Sequence, residues 1–271
     1  RSYKIFKLDA NLTRTEMTKP ICLVIGAGAG IGGNVARKFA GQGYHAFLTR
    51  RSNETGLNSL VKEIQKEGND ASGKIVNLME EGSIERLVTD IETELGSIET
   101  AVYNLGAQIG NHALENTSHK AFEMGWQLGC FGLYRLAHTL IPFMKKRGTG
   151  NLLVTSATAA VRGNKGQHSH AAAMGGRRML CQSLNAEFSS AGIHVAHIVV
   201  DGLVDAPDTV GKLLGPENFA KLREKLGGSK DGMMLPEKIA DTYFHISQQH
   251  RSVWTHELDL RSFSDSAWWN N

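Results

Sequence analysis

Cys22-Leu-Val-Ile-Gly26-Ala-Gly28-Ala-Gly30-Ile-Gly32-Gly33 decides the fold of this chain. Residues 22–25 are an apolar run of strand length. The glycines that follow form a turn, and Asn34-Val-Ala-Arg-Lys-Phe-Ala40 carries on as a helix. A turn of this kind lets backbone N–H groups and a helix N-terminus approach a pyrophosphate. A Cβ there would hold the phosphate off and exclude positive φ. Gly-x-Gly-x-x-Gly alone is a weak signal. A strand before it and a helix after it make it a dinucleotide-binding fingerprint, with Gly26, Gly28, Gly30 and Gly32 as its glycines.

Outward from this turn the pattern alternates. Strands are expected at Tyr44–Thr49, Lys74–Leu78, Glu99–Tyr103, Asn151–Thr155, Ile193–Val200 and Val253–Leu260. Leu57, Leu60, Val61 and Ile64 form an i, i+3, i+4, i+7 stripe, so residues 56–66 are a helix. Ile84, Leu87, Val88, Ile91 and Leu95 do the same for residues 81–95. Ser118–Lys146 reads as one long helical segment and Gln167–Ser190 as another. Ile193–Val200 is almost wholly apolar, as a strand covered on both faces must be. Residues 206–235, rich in glycine and charge, read as a mobile helical insertion, and Pro236 opens a helix at its first turn. Alternating strands and helices predict an α/β fold. It is a Rossmann-type doubly wound parallel sheet of about seven strands, helices on both faces, with the ligand at the strands' carboxyl ends.

The chain has 271 residues, 41% of them hydrophobic, and a formal net charge of +3. That length suits one large α/β domain, here residues 20–271. The small, dispersed charge implies no polyanionic partner, so nucleic acid is not expected. Three scattered cysteines, Cys22, Cys130 and Cys181, suggest neither a disulfide framework nor a metal site and point to a reducing, cytoplasmic setting. No apolar run reaches membrane-spanning length. Residues 1–19 read as a flexible arm or a non-native leader, with Met17 a candidate natural start. Arg1, Lys4, Lys7 and Arg14 suit an organelle-targeting segment, and Asp9 and Glu16 oppose one.

The glycine turn, Asn104-Leu-Gly-Ala107, and Gly150-Asn-Leu-Leu-Val-Thr-Ser-Ala157 with Gly163, Gly166 and His170-Ala-Ala-Ala-Met174 resemble the short-chain dehydrogenase/reductase family. The resemblance runs from about Pro20 to Arg261 and holds the family's spacing better than its residue types. His194–Gly202 and His256–Arg261 look like a little-characterised subgroup. The resemblance implies that Ile31, Asn77, Leu78, Asn104, Gly106 and Val204 line a nicotinamide cofactor. It also implies a homodimer or homotetramer paired through the long helix and the 167–190 helix. Ala171-Ala-Ala173, Gly175 and Gly176 would allow close helix approach there.

The second strand ends in Thr49-Arg50-Arg51-Ser52-Asn53. An NAD site places a carboxylate here for the ribose 2′-OH. Arg50 and Arg51 instead suit a 2′-phosphate through bidentate, charge-assisted bonds, so NADP(H) is the expected cofactor.

The resemblance also assigns the catalytic positions. The family's Tyr falls on His170, its Lys on Met174, its Ser on Ala157 and its Asn on Gly129. All four usual groups are absent. Ser156 is one residue off, which on a strand turns its side chain to the other face unless a bulge intervenes. A tyrosine with its ordinary pKa near ~10 needs a cation beside it to donate a proton, whereas a histidine near ~6.5 does not. His170 is therefore the candidate proton donor, with Ser156 as candidate partner. His168 and His170, two apart on a helix, point apart, and His194 and His197 fall on opposite strand faces, so no metal is expected. Trp126, Phe131, Tyr134 and Phe143 read as core or subunit interface. Asp201 stands where the family has Pro, and the Trp268-Trp269 tail is expected to dock on its own or a neighbouring subunit.

These observations leave three readings. One is an NADP(H)-binding family member with weak or lost dehydrogenase chemistry. Another is an active NADPH-dependent carbonyl reductase using His170 on a small carbonyl or alcohol. The third is an interaction protein with a remnant nucleotide site.

Overall fold

β1, Ile21–Ile25, has every side chain buried, and it lies inside the sheet rather than at an edge. Alternate residues point to opposite faces of a strand. Cys22 and Val24 accordingly join one core, while Ile21, Leu23 and Ile25 join the other. The computed structural model describes residues 19–106 and 112–270. The expectations for residues 1–18 and for Ala107 fall outside them.

The remaining strands are β2 (His45–Arg50), β3 (Ala71–Ile75), β4 (Ile98–Tyr103), β5 (Gly150–Ala157), β6 (Ile193–Val200) and β7 (Glu257–Leu260). They pair in parallel in the order β3-β2-β1-β4-β5-β6-β7. The helices are α1 (Ile31–Ala40), α2 (Glu54–Lys66), α3 (Ser83–Asp90), α4 (His119–Trp126), α5 (Gly132–Arg147), α6 (His168–Phe188), α7 (Lys212–Leu214), α8 (Pro216–Leu226) and α9 (Pro236–Ser247). α1, α2 and α9 cover one face, with Phe39, Leu57, Ile64 and Tyr243 buried against it. α3, α5 and α6 cover the other, through Ile84, Leu136, Leu140 and Cys181. Each fully buried large apolar side chain contributes roughly 1.5–3 kcal/mol. The strand order reverses between β1 and β4, and there a doubly wound sheet opens its ligand crevice.

Three boundaries differ from the sequence expectation. β3 lies at Ala71–Ile75, not at Lys74–Leu78. It is an edge strand, so Ser72, Gly73 and Lys74 need not be apolar, whereas the apolar Val76 and Leu78 lie past its end in the second core. A Cβ on Gly73 would come within 3.0 Å of the Leu57 side chain, so a larger residue there would make Leu57 shift. β7 is confined to Glu257–Leu260; residues 253–256 precede it as a loop. The long helix is interrupted by a π-helical turn at Gln127–Phe131. Such turns free carbonyls from the helical ladder. Here Tyr103 Oη donates to Leu128 O at 2.5 Å, and a Cβ on Gly132 would collide with that hydroxyl.

The 206–235 insertion forms α7 and α8 and is anchored by buried Phe219, Met233 and Met234. Gly176 does serve a close helix approach, but to this chain's own α4: its Cβ would lie 2.8 Å from Trp126. Trp126, Phe131 and Tyr134 remain 39–47% exposed, while Phe143 packs on the second core. Among the described residues, no helix is long and apolar enough to cross a membrane.

Candidate functional site: the crevice at the carboxyl ends of the strands

The glycine turn is shaped by backbone contacts at van der Waals limits. Gly26 has φ +89°, a left-handed conformation that glycine adopts at little cost. A Cβ on Gly32 would lie 2.4 Å from Gly26 O and 2.8 Å from Asn104 Nδ2. A Cβ on Gly33 would lie 2.4 Å from Gly28 O. α1 begins directly behind the turn at Ile31, with no side-chain cap and no acidic residue in its first turn. Its first N–H groups and dipole therefore favour an anion. Over Gly28 and Gly30, the nearest neighbours a Cβ would meet are Thr209 and Ala206. The small cradle, uncapped helix and absence of carboxylates in the turn fit a pyrophosphate.

At the end of β2, Arg50 Nε donates to Ala27 O at 2.6 Å, which fastens the guanidinium to the glycine turn. Burial lowers its pKa, with Asp208 in the opposite sense. Arg51 is exposed. Asn53, at φ 64°, accepts from Gly56 N at 3.0 Å and starts α2. Asn77 uses its amide locally: Oδ1 accepts from Met79 N at 3.2 Å and Nδ2 donates to Glu80 Oε1 at 3.2 Å. Leu78 is buried, and its carbonyl accepts from Arg135 at 2.7 Å. Asn104 bridges the halves of the crevice. Nδ2 donates to Gly26 O at 3.0 Å, and Oδ1 accepts from Thr155 Oγ1 at 2.8 Å. Buried Tyr243 lies 2.7 Å from the same Thr155 hydroxyl. A Cβ on Gly106 would meet nothing within 4 Å. Val204 is buried and pairs with Met234.

The other side of the crevice is apolar. Met174 is 2% exposed and clusters with Ala159 and Ala173. Ser156 is buried, and its hydroxyl points to Met174 Sδ at 3.9 Å. The regular β5–β6 register through Ser156 and Ala157 contains no bulge to turn Ser156 round. Ala157 next to it is half-buried. His170 lies in the first turn of α6 at 8% exposure, and its Nδ1 has no hydrogen-bond partner. Burial lowers its pKa, and the positive charge of Arg177 acts in the same direction. Gly129 sits in the π turn, and its carbonyl accepts from Arg177.

Arg177, Thr155 and Tyr243 are the functional candidates that sequence reasoning missed. Arg177 lies seven residues after His170 and three after Met174, on their helical face, and that spacing was its one signal. Asp201, in contrast, turns away from cofactor duty. Its Oδ2 accepts from Trp268 N at 3.1 Å and lies 3.6 Å from Arg261. The tail thus docks on its own chain, where Arg162 donates to Trp268 O at 2.7 Å and Arg261 stacks 4.1 Å over Trp269. The histidines of β6 also have structural partners. His194 bonds Thr255 O at 2.8 Å and stacks on Trp254, and His197 bonds Glu257 at 3.0 Å. Among the described residues, no three His, Cys, Asp or Glu side chains gather as a metal site.

A family model described as short chain dehydrogenase matches residues 20–212. The chain belongs to that family. It is 28% identical over 260 residues to the fatty acyl-CoA reductase of Acinetobacter baylyi, covering 95% of this chain and 83% of that protein. It is 25% identical over 238 residues to the 3-oxoacyl-[acyl-carrier-protein] reductase of Thermotoga maritima, covering 88% and 94%. A solved short-chain dehydrogenase from Rhodopseudomonas palustris superposes with TM-score 0.74 at 27% identity, over 90% of this chain and 99% of that one. An alcohol dehydrogenase from Thermococcus sibiricus, solved with 5-hydroxy-NADP, has the same fold, with TM-score 0.77 at 22% identity over 92% of this chain. As a short-chain dehydrogenase, this chain has a nicotinamide dinucleotide as its cofactor, and the relatives named above are reductases and dehydrogenases.

Proposed function

We propose that this short-chain dehydrogenase binds NADP(H) and has weak or lost carbonyl–alcohol chemistry. The observation that carries this reading is Met174, 2% exposed in an apolar cluster, at the position where the family resemblance expects a lysine. A thioether neither carries charge nor binds ribose hydroxyls as an ammonium does. Ala157 adds no hydroxyl, and Ser156 spends its own on Met174.

The cofactor supplies or accepts a hydride when bound. The N-terminus of α1 would take its pyrophosphate and Arg50 its 2′-phosphate, with Arg51 as an outer contact. Asn77 and Leu78 would meet the adenine end, and Gly106 and Val204 the nicotinamide end. Asn104 holds the glycine turn to β5 through Thr155.

A second reading has one observation in its favour. His170 keeps Nδ1 unpartnered, so its imidazole is available for proton exchange with a carbonyl or alcohol oxygen. The half-exposed Trp126, Phe131 and Tyr134 support assembly as a homodimer or homotetramer, and the scattered cysteines support a cytoplasmic setting.

Fluorescence titration with NADPH and with NADH tests the main reading. Tight NADPH binding with weaker NADH binding is expected, together with little or no turnover of a carbonyl panel. Failure to bind either cofactor overturns it. Robust NADPH-dependent turnover that His170→Ala removes would favour the second reading.

A further inference from the structure

Arg177 is the largest fully buried side chain of the described residues, at 1% exposure. Among the described residues its guanidinium bonds only backbone carbonyls and no carboxylate. Nε donates to Gly129 O, Nη1 to Thr155 O and Nη2 to Leu105 O, the last at 2.9 Å, and its Cζ lies 5.1 Å over the Tyr103 ring. The titratable groups facing it are Tyr103 from β4, Cys130 from the π turn, His170 and Cys181 from its own helix, Tyr243 from α9 and His197 from β6. None of these is an anion at neutral pH. A buried cation held only by carbonyl dipoles is costly, because no opposite charge offsets its lost hydration.

The three carbonyls belong to the three segments that meet at the catalytic end of the crevice. Leu105 lies between Asn104 and Gly106. Thr155 gives its hydroxyl to Asn104. Gly129 occupies the family's asparagine position. A guanidinium has donors in a fixed fork, so it sets the spacing of these segments in a way a flexible ammonium does not. Three residues further along α6 than Met174, it is one helical turn from the position of the missing lysine.

We infer that Arg177 is the cation of this site, a positioning residue that locks the Leu105, Gly129 and Thr155 carbonyls in place and projects its charge onto His170. The inference rests on the second reading above only in taking His170 as a site group. Burial lowers the His170 pKa, and the charge of Arg177 adds to it, so His170 is neutral near pH 7. Around His170 stand His168 and Ser169 on its own helix and His112 and Thr117 from the segment before α4. A neutral imidazole accepts a proton rather than supplying one, which tilts any residual chemistry toward alcohol oxidation.

The test is the titration of His170 followed by NMR of its imidazole in the cofactor-free protein, assigned with His170→Asn. In the native chain the midpoint is expected below the ordinary value near ~6.5, because burial and then the Arg177 charge both lower it. Arg177→Met should raise it part of the way toward that ordinary value, burial keeping the rest of the depression, and Arg177→Lys should hold it closer to native. A merely structural arginine would lower the melting temperature and leave this midpoint where it was. A native midpoint at the ordinary value overturns the inference without any variant, so a misfolded Arg177→Met does not rescue it. An unmoved midpoint in folded Arg177→Met overturns it too. NADPH titration of the native chain is read separately, so loss of the cofactor reading is distinguishable from loss of this one.

Discussion

The two sides of the crevice have kept different things. On the β1–α1–β2 side both backbone and side chains suit the ligand: a glycine cradle, an uncapped helix, and Arg50 pinned 2.6 Å from Ala27 O. On the β5–α6 side, in the reading proposed above, the backbone keeps the family's spacing while Ala157, His170 and Met174 stand at the reacting positions. The difference teaches that geometry and reactivity are separable in this fold. The sheet and its two cores hold both sides, but proton transfer needs particular groups. Arg177 spans the divide, since its carbonyl partners sit at the ends of β4 and β5 and in the π turn.

The strongest way to break the contrast is Gly32→Val. Its Cβ would meet Gly26 O at 2.4 Å, so NADPH affinity measured by fluorescence should fall by more than about a hundredfold, with a lower melting temperature. An unchanged affinity would remove the glycine cradle from the argument.

The converse experiment rebuilds the other side. Ala157→Ser, His170→Tyr and Met174→Lys together should raise NADPH-dependent turnover on a carbonyl panel by about a hundredfold, as general acid catalysis contributes. If turnover stays at the native level, these three side chains are not what limits it.

Acid should stress the β5–β6–α6 side first. The buried His197 is pushed down to about 4, below the ~6.5 of an unfolded histidine. Between these values the unfolded chain binds more protons, so stability falls as pH drops through this window and levels off below it. Burial depresses His170 and His194 in the same direction. From pH 7 to pH 5, urea unfolding should report a loss of about 2 kcal/mol from His197 alone. In His197→Asn the loss over this interval should shrink.

The smallest effect concerns cofactor choice. Arg50→Ala should weaken NADPH about tenfold and leave NADH within about twofold, because a charge-assisted bidentate contact is worth about 1.5–3 kcal/mol and Arg51 retains part of it. Equal loss for both cofactors would place Arg50 in the architecture of the turn, through Ala27, rather than at the 2′-phosphate.

What was legible in the sequence was local. The turn at residues 22–33 carries strand, turn and helix in one stretch, and β6 announces its double burial by being apolar at every position but His194 and His197. Strand parity likewise foretold that Ser156 would face away from Ala157. Edge strands were harder. β3 keeps Ser72, Gly73 and Lys74 because only part of it is covered, so hydrophobicity pointed three residues too late. Long-range partnerships could not be read at all. Arg177 finds Leu105 72 residues away, and Asp201 finds Trp268 67 residues away. No periodicity links such positions. Their meaning comes from the sheet that brings them together.

The borders of that sheet limit how copies of the molecule can associate. At one border β3 presents Lys74, paired with Asp90 at 3.4 Å, and a glycine. At the other β7 is four residues long and passes directly into the segment that folds back to Asp201. Charged, short and covered borders discourage strand addition from a neighbouring molecule. The chain is thereby guarded against open-ended, fibre-like growth by strand addition.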